Sequence, residues 1–182
     1  MRRILELAGS INPVNPTYSS VLILLYPFEG DIFTVFMKRP DYGGVHSGQI
    51  SLPGGKYEPA DGDLKTTALR ESQEEIGIFP KDVRIIGKLT DLYIPPSRYL
   101  VTPYVGWAPQ RPAFVRDPKE VDEIIEIRIN VLFKDETISV RKIKLPLGMH
   151  IKAPAFVVNK QVIWGATAMI LSEFWDVIRG LL

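Results

Sequence analysis

The stretch from Gly54 to Ile78 constrains this chain more than any other. Asp61, Gly62 and Asp63 precede residues 64–76, which contain no Pro or Gly, and Gly77 then suits the position just past a helix end. The pattern predicts a helix over 64–76. Within it Glu71, Glu74 and Glu75 stand at i, i+3 and i+4, so their carboxylates share one face. Ala68, Leu69 and Ile76 are expected to pack inward, with the glutamates shown to a cleft. Three like charges at this spacing repel, and the helix gains from them only if a cation fills the space. Oxygen donors alone favour a hard ion, Mg²⁺ or Mn²⁺, over zinc, and Mg²⁺ commonly bridges carboxylates to substrate phosphates. Arg70 can hold one carboxylate through a two-pronged pair. Gly54-Gly55 lets the backbone turn tightly and approach a ligand, and Gly55 has a carbonyl to offer a metal. A solvated acidic face steadied by Arg70 and Lys65 also satisfies the glutamate spacing alone. The flanking glycines make the pattern more specific.

Composition narrows the classes. Of the 182 residues, 46% are hydrophobic and 24% charged, as expected of a globular chain, and we expect a single domain over residues 1–182. With no Cys there is no disulfide, thiolate zinc site or cysteine nucleophile. His46 and His150 are the only histidines, which excludes a three-His zinc centre and an H-E-x-x-H helix. Lys plus Arg is 22 against 21 for Asp plus Glu, which argues against a general nucleic-acid binder. Residues 21–26 are the longest apolar run, far short of the ~20 residues that cross a bilayer, so no membrane role is expected. No targeting pattern is evident, and the cytoplasm is the expected compartment.

Residues 18–27 and 32–38 read as a hairpin around Glu29-Gly30-Asp31, and 50–52 as a short strand stopped by Pro53. Residues 83–88, 99–107, 123–129 and 138–145 read as further strands. Residues 156–158 and 161–164 form another hairpin, and 167–182 a closing amphipathic helix. This is an α/β (α+β) pattern. The glycines of 43–48 have P-loop spacing, but Gln49 replaces the essential Lys, which excludes an NTP-binding P-loop.

The segment resembles the signature box of the Nudix hydrolases. Gly55, Arg70, Glu71, Glu74, Glu75, Gly77 and Ile78 match it. Ser72 stands where an apolar residue is usual, and the spacer between Gly55 and Arg70 is one residue longer, so the early acid of the box is Asp61 or Asp63. The longer spacer, with Arg39 and His46-Ser47-Gly48-Gln49-Ile50-Ser51-Leu52-Pro53-Gly54-Gly55 upstream, is similar to the coenzyme A pyrophosphatase branch. Pro96 to Tyr99, Val101 to Val105, Glu120-Val121 and Ile163 to Ala168 are also similar, so the likeness spans residues 18–178. Gly43-Gly44, Leu52 and Met37 depart from that branch's usual residues.

The resemblance implies a Nudix fold, an α/β/α sandwich around a mixed β-sheet, with the box at residues 54–78. It implies a Mg²⁺-dependent (or Mn²⁺-dependent) pyrophosphohydrolase that cleaves coenzyme A or its thioesters to 3′,5′-ADP and 4′-phosphopantetheine or its acyl form. Glu71 and Glu75 are then metal ligands, Glu74 a ligand or the water-activating base, and Gly55 a carbonyl ligand. Arg70 orients a carboxylate. Glu120 is a candidate base or second-metal ligand. Arg39, His46, Gln49, Gly54 and Gly55 are candidates for holding substrate. The partner is a small CoA-like nucleotide, and the enzyme a monomer or homodimer. The alternatives are a Nudix pyrophosphatase for ADP-ribose, dinucleotides or nucleoside triphosphates, and a non-catalytic nucleotide-sensing domain.

Overall fold

The computed structural model describes residues 15–41, 48–95, 97–144, 148 and 150–180. Strands β1 (Thr17–Phe28) and β2 (Asp31–Lys38) form the expected hairpin. Short strands β3 (Ile50–Ser51) and β4 (Gly54–Lys56) lead into helix α1 (Leu64–Ile76). Strands β5 (Arg84–Lys88), β6 (Leu92–Ile94), β7 (Tyr99–Trp107) and β8 (Glu123–Arg128) complete the main sheet. The one-turn helix α2 (Ile129–Leu132) then leads to a second sheet of β9 (Ile138–Lys144), β10 (His150–Val158) and β11 (Gln161–Trp164). Helix α3 (Gly165–Arg179) follows.

The main sheet is mixed: β1 runs parallel to β7, while β1–β2, β1–β4, β2–β8 and β5–β7 are antiparallel. Alternation along β1 sends Leu22, Leu24 and Tyr26 to one face, where they meet Val35, Met37, Ala68 and Ile76. Ile23 points to the other face and joins Phe36, Leu171 and Phe174. Helices α1 and α3 therefore cover opposite faces, the α/β/α arrangement expected from the resemblance. Ser72 is fully buried where an apolar residue is usual, and its hydroxyl donates to Ala68 O at 2.6 Å. That bond satisfies the hydroxyl within the helix.

The structure extends the sequence reading in three places. Strand β10 begins at His150 rather than at residue 156, because Pro154 reads as a break in sequence. Strand β11 pairs with β10 only from Ala155 onward, so the missing Pro154 N–H forfeits no bond to β11. Strand β4 is built from Gly54-Gly55, residues of low strand propensity, and β6 is only three residues long.

Tyr26 is fully buried, and its hydroxyl donates to Glu126 Oε2 at 2.8 Å. Arg111 grips the same carboxylate with Nε at 2.8 Å and Nη2 at 2.6 Å. Burial, then the hydrogen bond to Glu126, pushes the Tyr26 hydroxyl well above the ordinary tyrosine range. Ionisation is thus easier in the unfolded chain. The linked stability is full below about pH 10 and is lost as pH rises beyond it. Tyr26→Phe should flatten that alkaline decline at a cost of about 1 kcal/mol at neutral pH, read from urea unfolding. An unchanged alkaline slope would remove Tyr26 as its source.

Candidate active site

Helix α1 starts at Asp63, whose side chain accepts from Thr66 N at 2.7 Å, and ends at Gly77 in the left-handed conformation. A Cβ at Gly77 would lie 2.7 Å from Val115 O, so Gly77 serves both the helix end and a close crossing. That crossing matters. Val115 N donates to Ile76 O at 3.0 Å, and Asp117 N to Glu75 O at 3.0 Å. The loop after β7 is thereby docked on the end of α1. It brings Glu120, itself exposed, close enough for its charge to act on both Glu71 and Glu75.

Arg70 organises the helix face. Its Nε meets Asp61 Oδ1 at 2.7 Å and its Nη2 meets Asp61 Oδ2 at 3.1 Å. The same guanidinium reaches Glu71 at 3.0 Å, Glu74 at 3.1 Å and Lys56 O at 3.1 Å. Thr67 Oγ1 and Glu58 N also donate to Asp61, at 2.8 and 3.0 Å. Arg70 thus holds the Asp61 carboxyl well below the usual carboxylate range. Of the two acids open in the sequence, Asp61 pairs with Arg70, while Asp63 is used as the helix cap.

The three glutamates do not share one environment, which corrects the expectation that all of them face a cleft. Glu74 is exposed. Glu71 is half-buried, and burial raises its carboxyl above the ordinary range; Arg70 opposes the rise, and Glu74 and Glu120 add to it. Glu75 is only 2% exposed and accepts from Gly54 N at 2.7 Å. Burial pushes the Glu75 carboxyl up to about 8, with the Gly54 N–H and Arg39 pulling it down and Glu71 and Glu120 pushing it further up.

The two glycines have separate reasons. Gly54 has φ +141°, and a Cβ there would run into Ser20 O. A Cβ at Gly55 would overlap the Glu71 carboxylate, so the Gly55 backbone and that carboxylate lie against one another. Arg39 N donates to Gln49 O at 2.9 Å, which continues the pairing of Met37 with Ser51. Directly paired residues share a face. Arg39, Gln49, Met37 and Ser51 therefore belong to the side that α1 covers. Ser51 Oγ is buried and, among the described residues, has no hydrogen-bond partner. Sequence reasoning did not single Ser51 out, because its pairing with buried Met37 is visible only in the structure. His46 lies outside the described residues.

The donor set suits a hard divalent cation. It is oxygen-only, the charges of Glu71, Glu75 and Glu120 repel one another, and the Gly55 backbone abuts Glu71. Among the described residues no three such side chains converge tightly enough to form a ready cage. Arg70 holds Glu71 and Glu74 in this arrangement.

Comparison with known proteins agrees with the geometry. The NUDIX domain family matches residues 16–142. The chain is 30% identical over 175 residues to the human mitochondrial coenzyme A diphosphatase NUDT8, covering 95% of this chain and 74% of the relative. It is 34% identical over 137 residues to an uncharacterised Nudix hydrolase, NudL, of Yersinia pestis, covering 74% of this chain and 66% of that one. Among solved structures, a MutT/nudix family protein from Enterococcus faecalis superposes with a TM-score of 0.57 at 13% identity, over 98% of this chain and 68% of that one. The Nudix hydrolase RenU from M. smegmatis gives 0.53 at 16% identity, over 62% and 70%. These last two likenesses bear on the fold. Among the described residues no helix is long and apolar enough to cross a membrane. By its sequence match and its arrangement of box residues, the chain belongs to the Nudix hydrolase family.

Proposed function

We propose that this protein is a Mg²⁺-dependent diphosphatase that cleaves coenzyme A or its thioesters to 3′,5′-ADP and 4′-phosphopantetheine or its acyl form. The observation that carries the reaction is the placement of Glu71 against Gly55 and of Glu75 on the Gly54 N–H, within electrostatic reach of Glu120 and Arg39. The substrate assignment rests on the similarity to a coenzyme A diphosphatase over 95% of the chain. Glu71 and Glu75 are the ligands in this reading, with Gly55 offering its carbonyl. Such an ion neutralises a diphosphate and makes a bound water more acidic.

The chain's own groups do the rest. Arg39 holds a phosphate oxygen and Gln49 the neighbouring part of the substrate, with His46 a further candidate. Arg70 fixes Glu71 and Glu74 by the pairs described above. Glu74 or Glu120 takes the proton of the attacking water as its oxygen bonds to phosphorus and the anhydride P–O bond breaks. The reading treats residues 1–182 as one domain, acting in the cytoplasm on a small diffusible nucleotide, as monomer or homodimer.

Mass spectrometry of products tests this. With Mg²⁺, coenzyme A should release 3′,5′-ADP faster than ADP-ribose, NADH or triphosphates yield their own products. Faster turnover of one of those would keep the reaction and overturn the substrate. No turnover of any would favour a nucleotide-sensing role.

Ser51 gives a further prediction. A buried hydroxyl without a partner costs about 1–3 kcal/mol. Ser51→Ala should leave the free protein at least as stable as the wild type. If substrate satisfies the hydroxyl, KM rises about tenfold with kcat nearly unchanged. An unchanged KM in steady-state kinetics would place the hydroxyl away from substrate.

A further inference from the structure

A cavity lies away from α1, between the β9–β10 pair and α3. Its volume is about 170 Å³, and its walls are residues 153–156 of β10 with Ile138 of β9, and Gly165, Ala168, Met169 and Ser172 of α3. The hydroxyl of Ser172 is already committed to Ala168 O at 2.7 Å. A water needs two or more polar partners to settle in a cavity, whereas a dry cavity of about 150 Å³ holds a six-carbon hydrocarbon. This one suits an apolar guest.

The register says what lies beside it. Ile138 pairs with Phe156, Val140 with Pro154, Lys142 with Lys152 and Lys144 with His150. Paired residues two apart along a strand share a face, each pair roughly 7 Å beyond the last. From the cavity walls Phe156 and Pro154, the same face runs over Val140, 66% exposed, to Lys142 and Lys152. Both lysines are exposed, stand directly opposite one another, and form no ion pair with any described residue. Like charges across a strand pair destabilise it. Residues 137–172, which supply both strands and the first half of α3, contain no Asp or Glu, while they include Arg141, Lys142, Lys144, Lys152 and Lys160. An apolar hole thus continues into an apolar strip and ends at two facing cations with no ion-pair partner among the described residues.

We infer that this site binds a medium-chain aliphatic carboxylate, with its hydrocarbon tail in the cavity and its carboxylate at Lys142 and Lys152. The inference is independent of the reaction proposed for α1. Such a ligand is an effector or a carried molecule rather than the diphosphate being cleaved.

Titration calorimetry of the full chain with octanoate, butyrate and neutral 1-octanol tests it. Octanoate should bind, and butyrate, four methylenes shorter, should bind about a hundredfold more weakly. Ala168→Leu fills the cavity and should abolish binding of octanoate and octanol while coenzyme A turnover stays normal. The double variant K142Q/K152Q, at two exposed positions, should weaken octanoate about fivefold and leave octanol unchanged. If Ala168→Leu fails to fold, the double variant carries the test, and undiminished octanoate affinity there overturns the inference. Absence of octanoate binding at millimolar concentration overturns it too. Two patterns would then name another occupant. Loss of octanoyl-thioester turnover in Ala168→Leu would assign the cavity to the substrate's tail. Conversion of a dimer to a monomer by that variant, seen by light scattering, would assign it to a second copy of the chain.

Discussion

Glu75→Gln should lower turnover by at least a thousandfold while making the metal-free protein more stable at neutral pH. The two effects have one cause. Glu75 is 2% exposed, and its charge faces Glu71 and Glu120 with only the Gly54 N–H and Arg39 in compensation. Burial therefore raises its carboxyl to about 8. A carboxyl raised on folding contributes its full stability below its unfolded value near 4.5, and that stability is lost as pH rises toward the folded value. At pH 7 the metal-free wild type should lie about 3 kcal/mol below its acid-side stability for this reason. Gln has nearly the same shape and keeps an oxygen for the Gly54 N–H, so the variant should escape the penalty. Urea unfolding at pH 5 and pH 7.5 without metal, alongside turnover with Mg²⁺, reads both. A folded variant with near-normal activity would remove Glu75 from the chemistry. Equal pH dependence in variant and wild type would remove it from the stability argument.

Arg70→Ala should cost more stability than any other single change on α1. The guanidinium ties Asp61, Glu71, Glu74 and the Lys56 carbonyl together, and the Asp61 side chain is only 2% exposed. Removing one partner of a fully buried pair typically costs 3–5 kcal/mol, because the other charge is left buried and unpaired, and with the Arg70 side chain 24% exposed the loss here should fall toward or below the low end of that range. Asp61→Asn/Arg70→Ala removes the stranded charge as well, and should recover much of the stability but not the activity, since Glu71 and Glu74 still lose their hold. In the wild type, the depressed Asp61 carboxyl adds stability that is present above about pH 4 and lost as pH falls further. Arg70→Ala should lack that acid-side slope. A double variant no more stable than Arg70→Ala would show that the Asp61 charge is not the source of the damage.

The sequence was readable where local chemistry settles the matter. Helix 64–76 has the predicted bounds because Asp63 caps one end and Gly77 the other, with no Pro or Gly between. The mixed sheet between two helical layers agrees with the family resemblance. What sequence could not resolve depends on long-range partners. Asp61 and Asp63 look alike until one is seen returning to Arg70 and the other spent on Thr66 N. Helical spacing puts Glu71, Glu74 and Glu75 on one face, but only the crossing of Gly54 buries the third. Glu120 comes within range because the backbone of Val115 and Asp117 docks on the last carbonyls of α1, a contact no motif announces. The cavity beside α3 depends on β10 starting before Pro154, which the sequence pattern hides.

The central claim is that the glutamates of α1 hold a divalent ion beside Gly54-Gly55. Titration of Mn²⁺ followed by electron paramagnetic resonance tests it most directly, with wild type, Glu71→Gln and Glu75→Gln compared at one pH. The account predicts saturable binding to the wild type and affinity weakened by at least about tenfold in each variant. Equal affinity in all three proteins would contradict it.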